Sequence, residues 1–408
     1  MESNKITRIL FKGDRVVWIV FITLCAISWV EVFSATSRQT FATGNYWSPI
    51  IKHTAFIIGG IVVVWFMHNL NAKWIDKFTK AIYWFGVAGL IYAQFQGSRV
   101  NDSARWISIL GFTFQPMEFA KMGLVMMTSR IISNHLGDEG TDKFALKEIA
   151  KYSILPILII LKENLSSAVL LTFTIYLLMI IGGLPKRQLL ATFGIGVAIV
   201  VLGVGAIIAT PDSAAKSGSF GNKVVTWKHR ILGATDRGPI TAEEYRIDSQ
   251  NEQRTYSHIA IASSHLIGRG PGNSIQRDFI PHAYSDYIFA VIIEELGLIG
   301  AIAVMMLYLT LLYRCGKIAD KCDDPYLAYL VMGIGLIIIT QALMHMYISV
   351  SNFVTGQPLP LMSQGGTSFV INSMYIGFIL SISRYAMPKK ENKTTKISIT
   401  PAVEVTEN

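Results

Sequence analysis

Charged residues and cysteines are both scarce in this chain of 408 residues. Charged side chains make up 15% of it, whereas a soluble globular protein has about 25%. The three cysteines are too few for a disulfide framework: Cys25 lies in an apolar run, and Cys315 and Cys322 flank a short basic loop. The eight histidines show no spacing typical of metal ligands. These absences argue against a soluble globular protein, a disulfide-rich secreted domain and a zinc or redox site.

Long apolar runs are what the chain has instead, since 51% of its residues are hydrophobic. Runs of this length predict about ten transmembrane helices, and therefore an all-α membrane protein built as one helical bundle. The predicted spans lie near residues 16–34, 50–68, 79–95, 116–134, 148–161, 165–183, 188–209, 284–312, 326–349 and 367–386.

Basic residues recur in alternate short loops between these spans. A net charge of +9 would suggest nucleic acid binding in a soluble protein, but the positive-inside rule accounts for this distribution in a membrane protein. We therefore expect both termini in the cytoplasm and no nucleic acid partner. The basic groups on the predicted cytoplasmic side are Lys5, Arg8, Lys12, Arg15, Lys73, Lys77, Lys80, Arg130, Lys143, Lys147, Lys186, Arg187, Arg314, Lys317, Lys321, Arg384, Lys389 and Lys390.

The chain divides into three predicted parts. Residues 1–15 form a cytoplasmic N-terminal tail, residues 16–386 a single polytopic transmembrane domain, and residues 387–408 a polar cytoplasmic tail that we expect to be disordered. One large extracytoplasmic loop, residues 210–283, interrupts the spans. No internal repeat is visible, so an inverted-repeat transporter has no support from the sequence.

The stretch 280–300, IPHAYSDYIFAVIIEELGLIG, carries acidic residues in an apolar run. Pro281 fits the start of a helix, which would place Asp286 just inside it. Glu294 then lies at the edge of the stripe that Asp286 occupies, and Glu295 faces away from it. Acidic groups are costly here unless they face protein or water, so Asp286 is a candidate functional residue and Glu295 a structural contact. The stripe itself comprises Asp286, Ala290, Ile293 and Gly297.

Other polar groups gather at the outer ends of the spans. The glycines at 268, 270 and 272 permit a close backbone approach to a ligand, and residues 355–368 form a Pro/Gly/Ser loop suited to an anion or a re-entrant turn. A cavity with one carboxylate and several cations suggests a substrate that carries phosphate and hydroxyl groups. The candidate residues for binding it are Arg105, Trp106, Glu118, Lys121, Gln253, Arg254, Arg277, Ser363, Gly365 and Gly366.

Each of these signals also has a structural interpretation. Glu118 and Lys121, one helical turn apart, are readily explained as a structural ion pair. Asp286 could satisfy the dipole at a helix N-terminus, the glycines could form a turn, and Trp106 could anchor the chain at the membrane interface. The residues alone therefore leave an enzyme, a transporter and a scaffold open.

Three stretches together resemble one known family: RWISILGFTFQPMEFAK, IAIASSHLIGRGPGNSIQRDFIPHAYSDYIFAVIIEELGLIG and TGQPLPLMSQGGTS. They resemble the SEDS family (shape, elongation, division and sporulation), polytopic glycosyltransferases that polymerise peptidoglycan. The resemblance runs from Gly13 to Ala386, and the division branch is more similar than the elongation branch. The chain departs from the family pattern at Met117, Lys162–Asn164, Ser264–His265 and Phe353.

The resemblance implies a bundle of about ten transmembrane helices and a set of site residues. Asp286 matches the catalytic aspartate of the family. The polar positions that line its central cavity are matched by Arg105, Glu118, Lys121 and Gln253, and its last motif is matched by Ser363, Gly365 and Gly366.

The resemblance also implies a function. It is the polymerisation of lipid II, the undecaprenyl-diphosphate-linked disaccharide-pentapeptide, into β-1,4 glycan strands on the outer face of the bacterial cytoplasmic membrane, at the division septum. The alternatives are a polymerase for elongation and cell shape, a lipid II flippase, and a non-catalytic scaffold. Implied partners are a class B penicillin-binding protein, other divisome membrane proteins and membrane lipids. No cofactor motif is evident, although a divalent cation such as Mg²⁺ or Mn²⁺ could assist.

Overall fold

The computed structural model describes residues 12–37, 40, 44, 47–96, 98–100, 103–109, 112–138, 140–210, 221, 224–225, 227–228, 247, 251–351 and 356–386. Residues 1–11 of the predicted N-terminal tail (1–15), the whole predicted C-terminal tail (387–408) and most of the stretch 211–250 lie outside these residues. The helices in chain order are α1 (Arg15–Ala35), α2 (Trp47–Asn69), α3 (Ala72–Gln96), α4 (Pro116–Asn134), α5 (Phe144–Glu163), α6 (Leu165–Ile181), α7 (Lys186–Ala209), α8 (Glu252–Ala262), α9 (Ile288–Ala319), α10 (Pro325–Val350) and α11 (Gly366–Tyr385).

Every predicted span falls on one of these helices, and the predicted all-helical bundle is confirmed. Among the described residues, six helices (α1, α2, α7, α9, α10 and α11) are long and apolar enough to cross a membrane by length and composition. Helices α9, α10 and α11 are mostly buried inside the bundle, whereas α7 has no buried residue. The core that positions the site is therefore built mainly on the last helices of the chain.

Helices α3 and α9 extend furthest beyond the ends that their apolar runs predict. Helix α3 begins at Ala72 and not near residue 79, and α9 continues to Ala319 and not only to residue 312. The added turns contain basic residues, which end the apolar run but not the helix. A lysine can remain helical there because its long stem carries the charge away from the apolar surface. Lys77 does so over the ring of Trp74, at 4.7 Å from its centroid.

Local capping explains where other helices start. The side chain of Asp14 accepts hydrogen bonds from the backbone N–H groups of Val16 and Val17 and pairs with Arg314, which ties the start of α1 to the end of α9. Only Asn164 separates α5 from α6, and its side chain accepts a hydrogen bond from Ser167 N. Helices α5 and α6 therefore form a tight hairpin at residues 162–164.

The loop between α3 and α4 contains strands that the hydrophobic pattern does not predict. Strands β1 (Ser98–Val100), β2 (Ser103–Ile109) and β3 (Phe112–Phe114) form an antiparallel sheet in the order β1–β2–β3. Its β-branched and aromatic residues favour this structure. A second, two-stranded sheet pairs β4 (Leu136–Gly137) with β5 (Gly140–Thr141) between α4 and α5.

Candidate functional site

Asp286 lies in a turn and not in a helix, which corrects the prediction that a helix starts at Pro281. Helix α9 begins at Ile288, with Tyr287 at its N-cap. Asp286 is half-buried, and its backbone N–H donates to the carbonyl of His282 at 3.1 Å. The hydroxyl of Ser285 donates to Asp286 Oδ1 at 2.9 Å, which orients the carboxylate. Asp286 therefore does not share a helical stripe with the apolar residues that follow it.

The helix cannot start earlier because the carbonyls it would need are engaged elsewhere. In a helix from Pro281, the carbonyls of Tyr284 and Ser285 would accept bonds four residues ahead within the chain. Instead, the carbonyl of Tyr284 accepts from Gln364 N at 2.9 Å, and that of Ser285 accepts from Ser363 Oγ at 2.6 Å. The turn that carries Asp286 is thus held by the segment after α10.

That segment, the clamped loop (residues 356–365), is buried among helices and held by their side chains. Donors from α1, α9 and α10 reach four of its backbone carbonyls: Ser28 Oγ to Met362 O at 2.8 Å, Tyr308 OH to Pro360 O at 2.5 Å, Gln341 Nε2 to Pro358 O at 3.2 Å, and His345 Nδ1 to Gln357 O at 2.7 Å. Non-helical backbone within a helix bundle requires such partners. Thr355 and Phe353 lie outside the described residues.

The predicted site residues of this loop have places of their own. Ser363 Oγ also accepts a hydrogen bond from Leu359 N at 2.7 Å, so its hydroxyl is engaged within the protein. Gly365 is the N-cap of α11, and Gly366 begins the helix against the ring of Phe56, where a Cβ would lie 2.8 Å from Cζ. Ser363 therefore supports the Asp286 turn, and Gly366 permits α11 to approach α2.

Helix α9 is broken at Gly297, where φ is 72° and ψ is −173°. The break frees the carbonyls of Glu294 and Glu295 and the N–H groups of Leu298 and Ile299. The preceding loop replaces these helical bonds one for one: Arg269 N to Glu294 O at 3.0 Å, Gly270 N to Glu295 O at 2.8 Å, Leu298 N to His265 O at 3.3 Å, and Ile299 N to Leu266 O at 3.2 Å. Residues 265–270 thus supply the hydrogen-bond partners that α9 lacks at its break.

The fully buried side chains of Glu294 and Glu295 hold the rest of this loop. Glu294 accepts from Ser274 Oγ at 2.5 Å and from the backbone N–H groups of Ile275 and Gln276. Glu295 accepts from the backbone N–H groups of Gly272 and Ser274, at 2.7 and 3.1 Å. The two carboxylates replace water as acceptors for an irregular backbone. The predicted structural role of Glu295 is confirmed, and the same role for Glu294 was missed.

The glycines and Arg277 take part in this packing. The glycines at 268, 270 and 272 were expected to let backbone approach a ligand, but Gly268 and Gly270 approach the break in α9 and Gly272 donates to Glu295. Arg277 donates to Ser34 Oγ and to Glu295 Oε1, the latter at 3.4 Å. The sequence signal for this packing was the acidic pair Glu294–Glu295, with Gly297 two residues later and arginines in the preceding loop.

Glu118 and Lys121 form a buried ion pair on α4. Lys121 Nζ lies 2.7 Å from Glu118 Oε1, and the side chains are only 1% and 3% exposed. Burying two charges costs several kcal/mol per ion before their attraction is counted. The ion pair expected from the spacing of these two residues is therefore present and buried.

The remaining predicted residues lie on β2 and α8. Arg105 and Trp106 are in β2, and their side chains lie outside the part of the chain that the structure describes. Gln253 Nε2, in the first turn of α8, donates to Pro281 O at 3.4 Å, and so touches the turn that carries Asp286. Arg254 is half-buried on the same helix. Within the described residues, no group of three or more His, Cys, Asp or Glu could hold a metal ion, and the assistance of a divalent cation stays a prediction.

The family model described as "Cell cycle protein" (FtsW, RodA and SpoVE) matches residues 14–387. The chain belongs to this family. It is 30% identical over 376 residues to the probable peptidoglycan glycosyltransferase FtsW of Halomonas elongata, covering 90% of this chain and 89% of the relative. It is 26% identical over 410 residues to the protein of the same name in Enterococcus hirae, covering 96% and 98%. The predicted family is thus confirmed, with several relatives that carry the FtsW name.

Solved structures share the fold of this chain. A chain from a peptidoglycan synthase complex, described for its coordination of polymerization and crosslinking, superposes with a TM-score of 0.71 at 19% identity, covering 92% of this chain and 99% of that one. The rod shape determining protein RodA of Thermus thermophilus superposes with a TM-score of 0.63 at 17% identity, covering 92% and 98%. Together with the apolar helices, these matches identify a membrane protein with the SEDS fold.

Proposed function

We propose that this protein is a peptidoglycan glycosyltransferase that polymerises lipid II on the outer face of the bacterial cytoplasmic membrane, for septal wall synthesis during division. Membership of the family and the FtsW names of its relatives support this function. The observation that carries it is the placement of Asp286. Its carboxylate is half-buried in a turn whose backbone carbonyls accept hydrogen bonds from the clamped loop.

Asp286 acts as the general base in this proposal. Its carboxylate takes the proton from the 4-hydroxyl of the acceptor GlcNAc, and that oxygen attacks the anomeric carbon of the donor MurNAc. The bond from that carbon to the lipid diphosphate breaks, and the diphosphate leaves with the electron pair. Direct displacement converts an α-linked donor into a β-1,4 glycan. One oriented base is enough, because no covalent enzyme intermediate forms.

Cationic and polar groups bind the substrate in the same proposal. Arg105 and Lys121 offset the charge of the departing diphosphate, since cations aimed at developing negative charge stabilise the transition state. Gln253 contacts the turn that carries Asp286, and Trp106 and Arg254 are the further residues that we assign to substrate binding. Arg277 supports the site and does not bind the diphosphate directly in this proposal, because its guanidinium already contacts Glu295 and Ser34.

We further propose a class B penicillin-binding protein as the partner that cross-links the strands. The match to a chain from a peptidoglycan synthase complex supports such an assembly. Other divisome membrane proteins and membrane lipids complete the setting at the division septum. The alternative of an elongation polymerase differs from this one in its partner and in its cellular site.

The test uses the full chain reconstituted in vesicles with labelled lipid II, with and without that partner. We expect glycan strands from the wild type, and a loss of roughly 10²–10⁴-fold for Asp286→Asn because it removes a general base. Asp278→Asn is the matched control, since Asp278 is an exposed acid in the 3₁₀ turn just before. Scrambled lipid without glycan strands would support a flippase. The absence of both scrambled lipid and glycan strands would support a scaffold. A polymerising Asp286→Asn protein would exclude Asp286 as the base.

A further inference from the structure

His53 lies on α2, remote from Asp286 in the chain, yet hydrogen bonds connect it to the clamped loop. His53 Nε2 is 2.9 Å from Ser28 Oγ, and Ser28 Oγ donates to Met362 O at 2.8 Å. A hydroxyl has one proton, and that of Ser28 points to Met362 O, so His53 must donate from Nε2. His53, Ser28 and Met362 are each at most 2% exposed. The direction of donation therefore runs from α2 through α1 to the loop.

The loop passes this constraint to the Asp286 turn within two residues. Met362 is followed by Ser363, which donates to Ser285 O, and by Gln364, whose N–H donates to Tyr284 O. Ser285 in turn donates to Asp286 Oδ1. The bonds between Ser28 and the catalytic carboxylate are thus all short and all formed by groups that are at least partly buried.

Leu361 shows that the loop needs to be held. It has a φ of 62°, which a branched side chain rarely adopts. Such a conformation persists only where its surroundings over-determine it. The carbonyls on both sides of Leu361 are bonded: that of Pro360 accepts from Tyr308, and that of Met362 accepts from Ser28. Removing either donor would let this residue relax and would shift the segment that follows.

We propose that His53 and Ser28 are positioning residues that set the place of the Asp286 carboxylate through the clamped loop. The inference rests on the proposed function, because it assigns these residues to the same reaction. Neither residue touches the substrate in this account. His53 fixes the hydroxyl of Ser28, Ser28 fixes Met362, and the loop fixes the turn. A misplacement of about 1 Å at a catalytic group can cost roughly 10²-fold in rate.

The kinetic test compares four variants in the reconstituted polymerisation assay. Ser28→Ala and His53→Ala are expected to lower kcat by roughly 10–10²-fold with little change in KM, because misplacement affects the chemical step. The double variant should lose no more than the worse single variant, since both act through one hydrogen bond. His53→Gln should stay close to the wild type, because its amide N–H₂ can donate to Ser28 Oγ in place of the ring.

His68→Ala is the matched control from the same helix. Like His53, His68 is buried and packs its ring edge-on against an aromatic side chain, here Trp18 at 5.5 Å. Its Nδ1 bonds to the carbonyl of Trp65 in its own helix, so it has no path to the clamped loop. Its loss should lower the melting temperature as much as that of His53 and leave kcat unchanged. An equal fall of kcat in His68→Ala would reduce the effect to stability and overturn the inference.

A second measurement separates this inference from the proposed function. Hydrogen exchange of the full chain in lipid nanodiscs reports the bond from Gln364 N to Tyr284 O without any catalysis. Exchange at Gln364 should rise in Ser28→Ala and His53→Ala, and stay at the wild-type rate in His53→Gln and His68→Ala. Unchanged exchange in both alanine variants would overturn the positioning role. A wild type that makes no glycan would overturn the proposed function, while the exchange data would still decide the link.

Discussion

Gly268 lies directly against Gly297, so that the loop before α9 and the break in α9 share one contact. A Cβ on Gly268 would be 2.3 Å from Gly297 N, and a Cβ on Gly297 would be 2.4 Å from Gly268 N. Both glycines have φ values in the left-handed region, at 77° and 72°. No other residue fits at either position, because both the space and the backbone conformation exclude a side chain.

We therefore predict that Gly268→Ala destabilises the protein and reduces polymerisation. The alanine must push two backbones apart, which breaks the bonds from residues 265–270 to the freed groups of α9; the cost should exceed about 2 kcal/mol, as for other strained or overpacked sites. The measurement is thermal unfolding in detergent together with the lipid II assay.

Gly59→Ala is the control for that substitution. Gly59 lies in α2, and a Cβ there would meet nothing within 4 Å. Alanine is the better helix former by about 0.5–1 kcal/mol, so this variant should be as stable as the wild type or more stable. If Gly268→Ala has the same melting temperature as Gly59→Ala, the contact between Gly268 and Gly297 does not hold the loop.

The helices could be predicted from the sequence, whereas the site could be predicted only in part. A membrane-spanning segment satisfies its backbone within itself, so an apolar run such as that of α10 is enough to locate it. The Asp286 turn is different, because its carbonyls bond to Ser363 and Gln364, far along the chain. Hydrophobic periodicity contains no information about such partners. The same reason explains why the acceptor role of Glu294 was missed, since its donors are backbone groups in another loop.

Glu31 provides a prediction about a buried acid without a partner. It is fully buried on α1, one turn from Ser28 and one turn from Ser34, and neither carboxylate oxygen has a hydrogen-bond partner among the described residues. An ionised carboxylate there would cost several kcal/mol. We therefore predict that Glu31→Gln, which removes the carboxylate and keeps the shape of the side chain, leaves the melting temperature unchanged or raises it.

Glu295→Gln is the comparison for that variant, since Glu295 is equally buried but accepts hydrogen bonds from Gly272, Ser274 and Arg277. Replacing it removes the carboxylate that lies nearest to the guanidinium of Arg277, and we expect a loss of about 1–3 kcal/mol. Thermal unfolding of both proteins in the same detergent decides the matter. A Glu31→Gln protein that loses as much as Glu295→Gln would show that Glu31 is charged and paired.

Cys322 permits a test of the membrane orientation with a thiol label. It is the one cysteine of the three that is not buried, whereas Cys25 and Cys315 are. Burial raises the pKa of the Cys322 thiol to about 11, and the carboxylates of Asp324 and Asp323 add to the effect. Because only the thiolate is nucleophilic, labelling at pH 7 should be slow and should keep rising with pH beyond pH 9, where an ordinary thiol near 8.5 has levelled off.

With the predicted cytoplasmic placement, a membrane-impermeant maleimide should label inverted vesicles and not intact cells, and Cys322→Ser should remove the label. Labelling of intact cells would place the loop between α9 and α10 outside and would reverse the orientation on which an outer-face Asp286 depends.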